Sequence, residues 1–128
     1  MGCDIHVMFQ EKRGESWEPI SPITYFGRDY ASFGALAGIR DSSVYQMYTQ
    51  RGLPENLLFP HVRGEEINTY IGDHSFSWLT LKELKKIRKK VAKTDKDYQF
   101  YTLEDIIDQL GQRAGAEDKL RIVFGFDS

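Results

Sequence analysis

The chain has 128 residues, with 17 Lys and Arg against 19 Asp and Glu, a formal net charge of −2. With 41% apolar and 28% charged residues, its composition is that of an ordinary globular domain, which excludes collagen, low-complexity disorder and a disulfide scaffold. The near balance of charge argues against a protein that coats nucleic acid by charge alone, and the length fits one domain over residues 1–128.

Residues 3–10 alternate, with Ile5, Val7 and Phe9 against Asp4, His6, Met8 and Gln10, which predicts a strand with one buried face. Lys12 to Glu15 reads as a turn and Trp17 to Ile20 as a returning strand, ended by Pro19 and Pro22. Residues 29–37 read as a short helix with Tyr30, Phe33, Leu36 and Ala37 on one face and Gly38 at its stop. Val44, Tyr45, Met47 and Tyr48 suggest another short helix, and Arg51 to Gly64, with Pro54 and Pro60, a long loop. Thr80-Leu81-Lys82-Glu83 is a capping box, followed by the apolar stripe Leu81, Leu84, Ile87 and Val91. Thr102 to Asp105 opens a further helix with Leu103, Ile106, Ile107 and Leu110, closed by Gly111. Leu120, Ile122, Phe124 and Phe126 alternate in a last strand.

This order predicts an α+β fold: a small antiparallel sheet including the N- and C-terminal strands, with about three helices packed on it. It is not the βαβ alternation of a nucleotide-binding sheet, and no Gly-rich phosphate loop follows a strand. The single cysteine, Cys3, allows no internal disulfide and fits a reducing compartment. No apolar run reaches the ~20 residues needed to span a bilayer, so no membrane partner is expected. The N-terminus lacks the pattern of a signal peptide, and His6 stands where a myristoylation motif needs Ser or Thr.

Two polar clusters are candidates for chemistry. Asp4 and His6 lie two apart on a strand and so share a face, where they could ligate a divalent metal or act as an acid/base pair. A solvent-facing strand carries the same residues for no chemical reason. Asp73-His74-Ser75-Phe76-Ser77 precedes the capped helix, and reads as a loop in which His74 serves as ligand, base or proton donor. Arg28, Tyr30 and Arg40 flank the first helix, where arginine forks suit phosphate or carboxylate as readily as structural ion pairs. Residues 82–96 carry eight basic and two acidic residues. Such a face can grip nucleic acid but is more often simply solvated, and no aromatic residue interleaves this run.

The opening Met1-Gly2-Cys3-Asp4-Ile5-His6, the Gly27-Arg28-Asp29-Tyr30 stretch with Phe33 to Arg40, Arg51-Gly52-Leu53-Pro54, His74-Ser75-Phe76-Ser77-Trp78-Leu79-Thr80-Leu81 and the closing Arg121-Ile122-Val123-Phe124 with Phe126-Asp127 form a set. Together they resemble a family of small bacteriophage and prophage proteins. The resemblance implies the bacterial host cytoplasm and an accessory role in nucleic-acid metabolism or in blunting host defence. It supplies a setting and not a reaction.

Three expectations follow. The first is a phage-encoded metal-dependent hydrolase acting on a nucleotide or phosphodiester. Asp4, His6 and His74, with Cys3 or Asp73, would hold one Zn, Mn or Mg, His6 and His74 would be catalytic, and Arg28 or Arg40 would hold the anion. The second is a non-enzymatic anti-defence protein that sequesters a host nucleotide signal. It would use Arg28, Tyr30, Arg40, His74, Ser75, Ser77 and Trp78, in a homo-oligomer with pockets at its interfaces. The third is direct inhibition of a host defence protein through the basic helix or the irregular region 41–72.

Overall fold

The computed structural model describes residues 2–40, 45–94 and 99–128. Seven strands and three helices follow in the order β1 (Asp4–Arg13), β2 (Ser16–Pro19), β3 (Thr24–Phe26), α1 (Tyr30–Ala37), β4 (His61–Val62), β5 (Glu65–Glu66), β6 (His74–Thr80), α2 (Leu81–Thr94), α3 (Tyr101–Gly111) and β7 (Leu120–Asp127), with a 3-10 turn at Glu117–Lys119. The main sheet is antiparallel in the order β2-β1-β7-β6, with β3 also on β1. The last strand pairs with the first over the whole length of β7, from Asp4 opposite Asp127 to Glu11 opposite Leu120. The α+β class and the pairing of the terminal strands stand as the alternation predicts.

One face of the sheet carries Ile5, Val7, Phe9, Leu79, Ile122, Phe124 and Phe126, and all three helices close over it. The helix stripes meet that face as their periodicity requires: Leu84, Ile87, Leu103, Ile106 and Leu110 are fully buried. Each such side chain contributes roughly 1.5–3 kcal/mol by leaving water. The short α1 is buried along nearly its whole length, and its small residues Ala31, Gly34 and Ala35 let it seat closely. It ends where Gly38 adopts a left-handed conformation (φ 69°) and its N–H donates to the Gly34 carbonyl.

The opposite face corrects the expectation of a half-buried first strand. His6, Met8 and Gln10 are 2%, 0% and 0% exposed. The irregular chain between α1 and β6 lies over them: Leu57, Phe59 and Ile71 pack on Met8 and Val123. Bare backbone makes this cover fit. A Cβ on Gly125 would stand 2.2 Å from the Ile71 carbonyl oxygen, and one on Gly72 (φ 103°) 2.6 Å from the Phe126 nitrogen.

The segment His74–Ser77 is also not a loop. It opens strand β6, paired with β7, and a bulge between His74 and Ser77 puts Ser75 at φ 58°. The extra residue breaks the period of two, which hides the strand from a search for alternation. The short helix expected around Tyr45 begins at Val44, outside the described residues; Gln46 to Gln50 is irregular.

Helix starts are fixed by side chains. The capping box at α2 forms as its sequence predicts: Thr80 N–H donates to Glu83 Oε1 (3.0 Å) and Glu83 N–H to Thr80 Oγ1 (3.2 Å). Helix α3 starts one residue earlier than the sequence suggests and has no cap of its own. Its free amides are met by the cap of α1: Thr102 N–H donates to Asp29 Oδ2 (3.2 Å) and Leu103 N–H to Ser32 Oγ (3.0 Å). Asp29 also accepts from the Ser32 amide (3.3 Å) and hydroxyl (2.6 Å), so one carboxylate serves two helix N-termini. Replacing a cap by alanine costs about 1 kcal/mol, so Thr80→Ala is expected to lose about 1 and Asp29→Ala about 2 kcal/mol. Urea denaturation of the two variants compares them, and equal losses would show that the sharing has no energetic weight.

Candidate functional site

The polar side chains of the covered face gather at its two ends. At the first end, His6 Nε2 lies 2.6 Å from Asp127 Oδ2. The His6 ring stands between the rings of Tyr25 (4.7 Å) and Tyr70 (4.9 Å), both edge-on. Partial burial, with the carboxylates of Asp73 and Asp127 beside it, pushes the Tyr70 phenol up to about 12. It therefore stays protonated and faces Asp127 Oδ2 at 3.5 Å. His6 Nδ1 is buried with no partner. The pair has the form of an acid/base dyad, but its second nitrogen is closed off from solvent.

Asp4 sits on the same face but is held by Arg28, with Nε to Oδ1 at 2.8 Å and Nη2 to Oδ2 at 3.3 Å. That pairing draws the Asp4 carboxyl below its ordinary value. The same contact occupies Arg28, which the sequence offered as an anion holder.

His74 belongs to the other face. His6 is in register with Gly125 and His74 with Phe126, and successive residues of β7 point to opposite sides. His74 stacks on Phe126 (6.3 Å), with Nδ1 2.8 Å from Ser75 Oγ and Nε2 3.0 Å from Ser128 Oγ. Asp4, His6 and His74 are thus not brought into one site. Among the described residues no three His, Cys, Asp or Glu side chains gather as metal ligands. Cys3 packs in the helix-side core, its amide donating to the Tyr30 hydroxyl (3.2 Å). Arg40 lies over the Tyr30 ring (4.8 Å).

The second end joins Ser77 and Trp78, which the sequence offered as ligand contacts, to Arg121, Trp17 and Tyr48, which it did not single out for a site. Arg51 lies over Tyr48 (5.2 Å) and Trp78 (4.4 Å), while Arg121 lies over Trp78 (5.3 Å) and Trp17 (4.2 Å). Ring and cation alternate through five side chains, from Tyr48 to Trp17. Arg51 is neutralised: Nη1 donates to Glu83 Oε1 (2.8 Å) and to the Trp78 carbonyl (3.1 Å), and Nη2 to Glu83 Oε2. Its amide donates to Ser77 Oγ (3.0 Å), which accounts for that buried serine. Burial raises the Glu83 carboxyl, but hydrogen bonds from Arg51 and Thr80 outweigh it and hold the group below its ordinary value.

Arg121 is different. It is 4% exposed, and burial alone pushes its guanidinium down to about 10. Nε donates to Gln10 Oε1 (2.8 Å), and Gln10 Nε2 in turn donates to the Leu58 carbonyl (3.2 Å). Among the described residues no carboxylate pairs with it. Among the described residues its two terminal nitrogens have no acceptor, yet neither is sealed from solvent. Arg121 lines a cleft of about 290 Å³ together with Trp17, Ser16, Asn56 and Leu58, and with Glu15 and Glu55. A position facing outward in an alternating strand reads as solvated, so only the cover over the sheet reveals this site.

The basic helix is partly neutralised. Lys85 pairs with Glu117, Arg88 with Glu104 (3.5 Å), and Lys90 donates to the Gln46 carbonyl (3.3 Å). Lys82, Lys86, Lys89 and Lys93 remain as an exposed stripe, and Lys96 lies outside the described residues. Among the described residues no helix is long and apolar enough to cross a membrane. In comparisons with known proteins, no family model, curated protein or solved structure matches the chain.

The carboxylates set an acid limit. Glu11 is bound by Arg113 (2.8 and 2.9 Å) and Arg13 (2.8 Å), and the Arg113 hydrogen bonds chiefly draw it from 4.5 down to about 2. A depressed folded value stabilises above the ordinary one, and that stability is lost as pH falls from 4.5 to about 2. The urea midpoint of the wild type is expected to drop through that window. Glu11→Gln should be less stable at neutral pH and flatter across it; an unchanged slope would remove Glu11 from the acid transition.

Proposed function

We propose that this chain is a non-enzymatic binding protein that captures a nucleotide in the Arg121 cleft. The observation that carries this reading is the buried guanidinium that forms no ion pair among the described residues. Burying an unpaired charge costs several kcal/mol. Stacking on Trp17 and Trp78 returns about 0.5–2 kcal/mol per ring and Gln10 adds one hydrogen bond. The remaining N–H groups call for a ligand rich in acceptors, and Trp17 offers a face on which a base can stack. The resemblance to phage proteins supplies the context, in which a captured host nucleotide signal blunts defence in the bacterial cytoplasm.

The metal-dependent hydrolase has less to rest on, because the fold keeps His6 and His74 on opposite faces and occupies Asp4 with Arg28. One observation favours a second reading, inhibition of a host protein by contact. Among the described residues, six of the eight large exposed hydrophobic side chains fall between Met47 and Tyr70. That segment overlaps the irregular region expected to dock.

Both tryptophans of the chain flank Arg121, so intrinsic fluorescence reports on the cleft. Titration with nucleotides is expected to give a saturable change, and the ligand should be recovered chemically intact after denaturation. Arg121→Met should abolish binding while unfolding free energy stays within about 1 kcal/mol of the wild type, since an apolar side chain of similar volume replaces an unpaired charge. No binding by any nucleotide, or turnover of the ligand, would overturn the proposal. Loss of host-protein inhibition on polar substitution of Leu53, Val62 and Ile67, with nucleotides inert, would establish the second reading.

A further inference from the structure

We infer that the base this cleft recognises is guanine, an assignment that rests on the nucleotide-binding reading above. Arg121 spends its Nε on Gln10 and leaves two terminal N–H groups side by side, a fork that fits two adjacent acceptors. Guanine presents O6 and N7 along one edge, and arginine meets that pair in bidentate fashion. Adenine presents N7 beside the N6 amine, which would set donor against donor.

The rim supplies the second criterion. Glu15 and Glu55 line the same cleft and are exposed, and neither pairs with Arg121. A carboxylate accepts from two neighbouring donors, and guanine carries N1–H and the N2 amine next to O6. Cytosine can offer two acceptors to arginine but only one amino group to a carboxylate, and a smaller ring to Trp17. Trp17 lines the cleft next to Arg121, so a base held by the guanidinium lies beside that indole. At about 290 Å³ the cleft is at the small end for a ligand site and admits a base with the sugar outside. Two glutamates at the mouth repel phosphates. Affinity should therefore come from the base, with guanosine bound at least as tightly as its triphosphate.

Titration by tryptophan fluorescence with guanosine, GMP, GTP, IMP, 7-deaza-GMP, AMP, CMP and UMP tests this. GMP is expected to bind at least about tenfold more tightly than AMP, CMP or UMP, the scale of one good bidentate contact. IMP, lacking the N2 amine, and 7-deaza-GMP, lacking the N7 acceptor, should each bind more weakly than GMP. The surface variant Glu15→Gln with Glu55→Gln should narrow the gap between GMP and IMP, with an unchanged urea midpoint showing that it is folded. AMP or CMP binding within about threefold of GMP would overturn the guanine assignment and leave nucleotide binding standing. GTP binding much more tightly than guanosine would also overturn it, by placing the phosphates in the cleft. Failure of every nucleotide would remove both.

Discussion

The fold depends on a cover that the sheet cannot supply for itself. Strand β7 is buried on both sides, by helices on one and by irregular chain on the other. The irregular side brings few apolar residues, so polar side chains pin it. Arg51 joins its backbone to Ser77, its guanidinium to Glu83 and its flat face to Trp78. Glu83 is at once the salt-bridge partner and half of the α2 capping box. Helix start and cover therefore share one carboxylate, and a change there is felt on both faces of the sheet.

Once covered, the outward residues of β1 and β7 stop being solvent residues and need partners. The fold answers differently at the two ends of β7, which lie roughly 20 Å apart. At Asp127 the partner is His6, closed in by Tyr25 and Tyr70, with one nitrogen left orphaned. At Arg121, which lines a cleft, the partner is Gln10, a neutral side chain that satisfies one nitrogen and leaves two without an acceptor among the described residues. The orphaned nitrogen of His6 is sealed from solvent and the terminal nitrogens of Arg121 are not, which is why the Arg121 end carries the functional reading.

Most of the framework could be read from the residues. Alternation gave the two terminal strands, helical spacing gave α2 and α3, and Thr80 with Glu83 announced a cap. What escaped was whatever depends on a distant segment. Alternation in β1 says that one face is apolar; it cannot say that Leu57 and Ile71 will bury the other. Strand β6 escaped because its bulge breaks the period. Asp29 was read as the first residue of the first helix, not as its cap, and its service to α3 joins residues 73 apart in sequence. His6 and His74 attracted attention by type, yet their faces were fixed by register with β7, which neither local sequence contains. Ser77 and Trp78 were picked out as ligand contacts, and their contacts with Arg51 could not be read from either local sequence.

The choice of residue at position 121 is itself informative. A lysine there would carry a compact, strongly hydrated charge that stacks poorly between two indoles. A methionine would fill the same space without the cost of a buried cation. Arginine alone offers a flat apolar face to Trp17 and Trp78 while keeping its N–H groups in the plane between them. The faces serve the packing of the cover, and packing is content with one hydrogen bond to Gln10. The donors left over have no acceptor among the described residues, and the side chain that carries them lines the cleft that the cover leaves open.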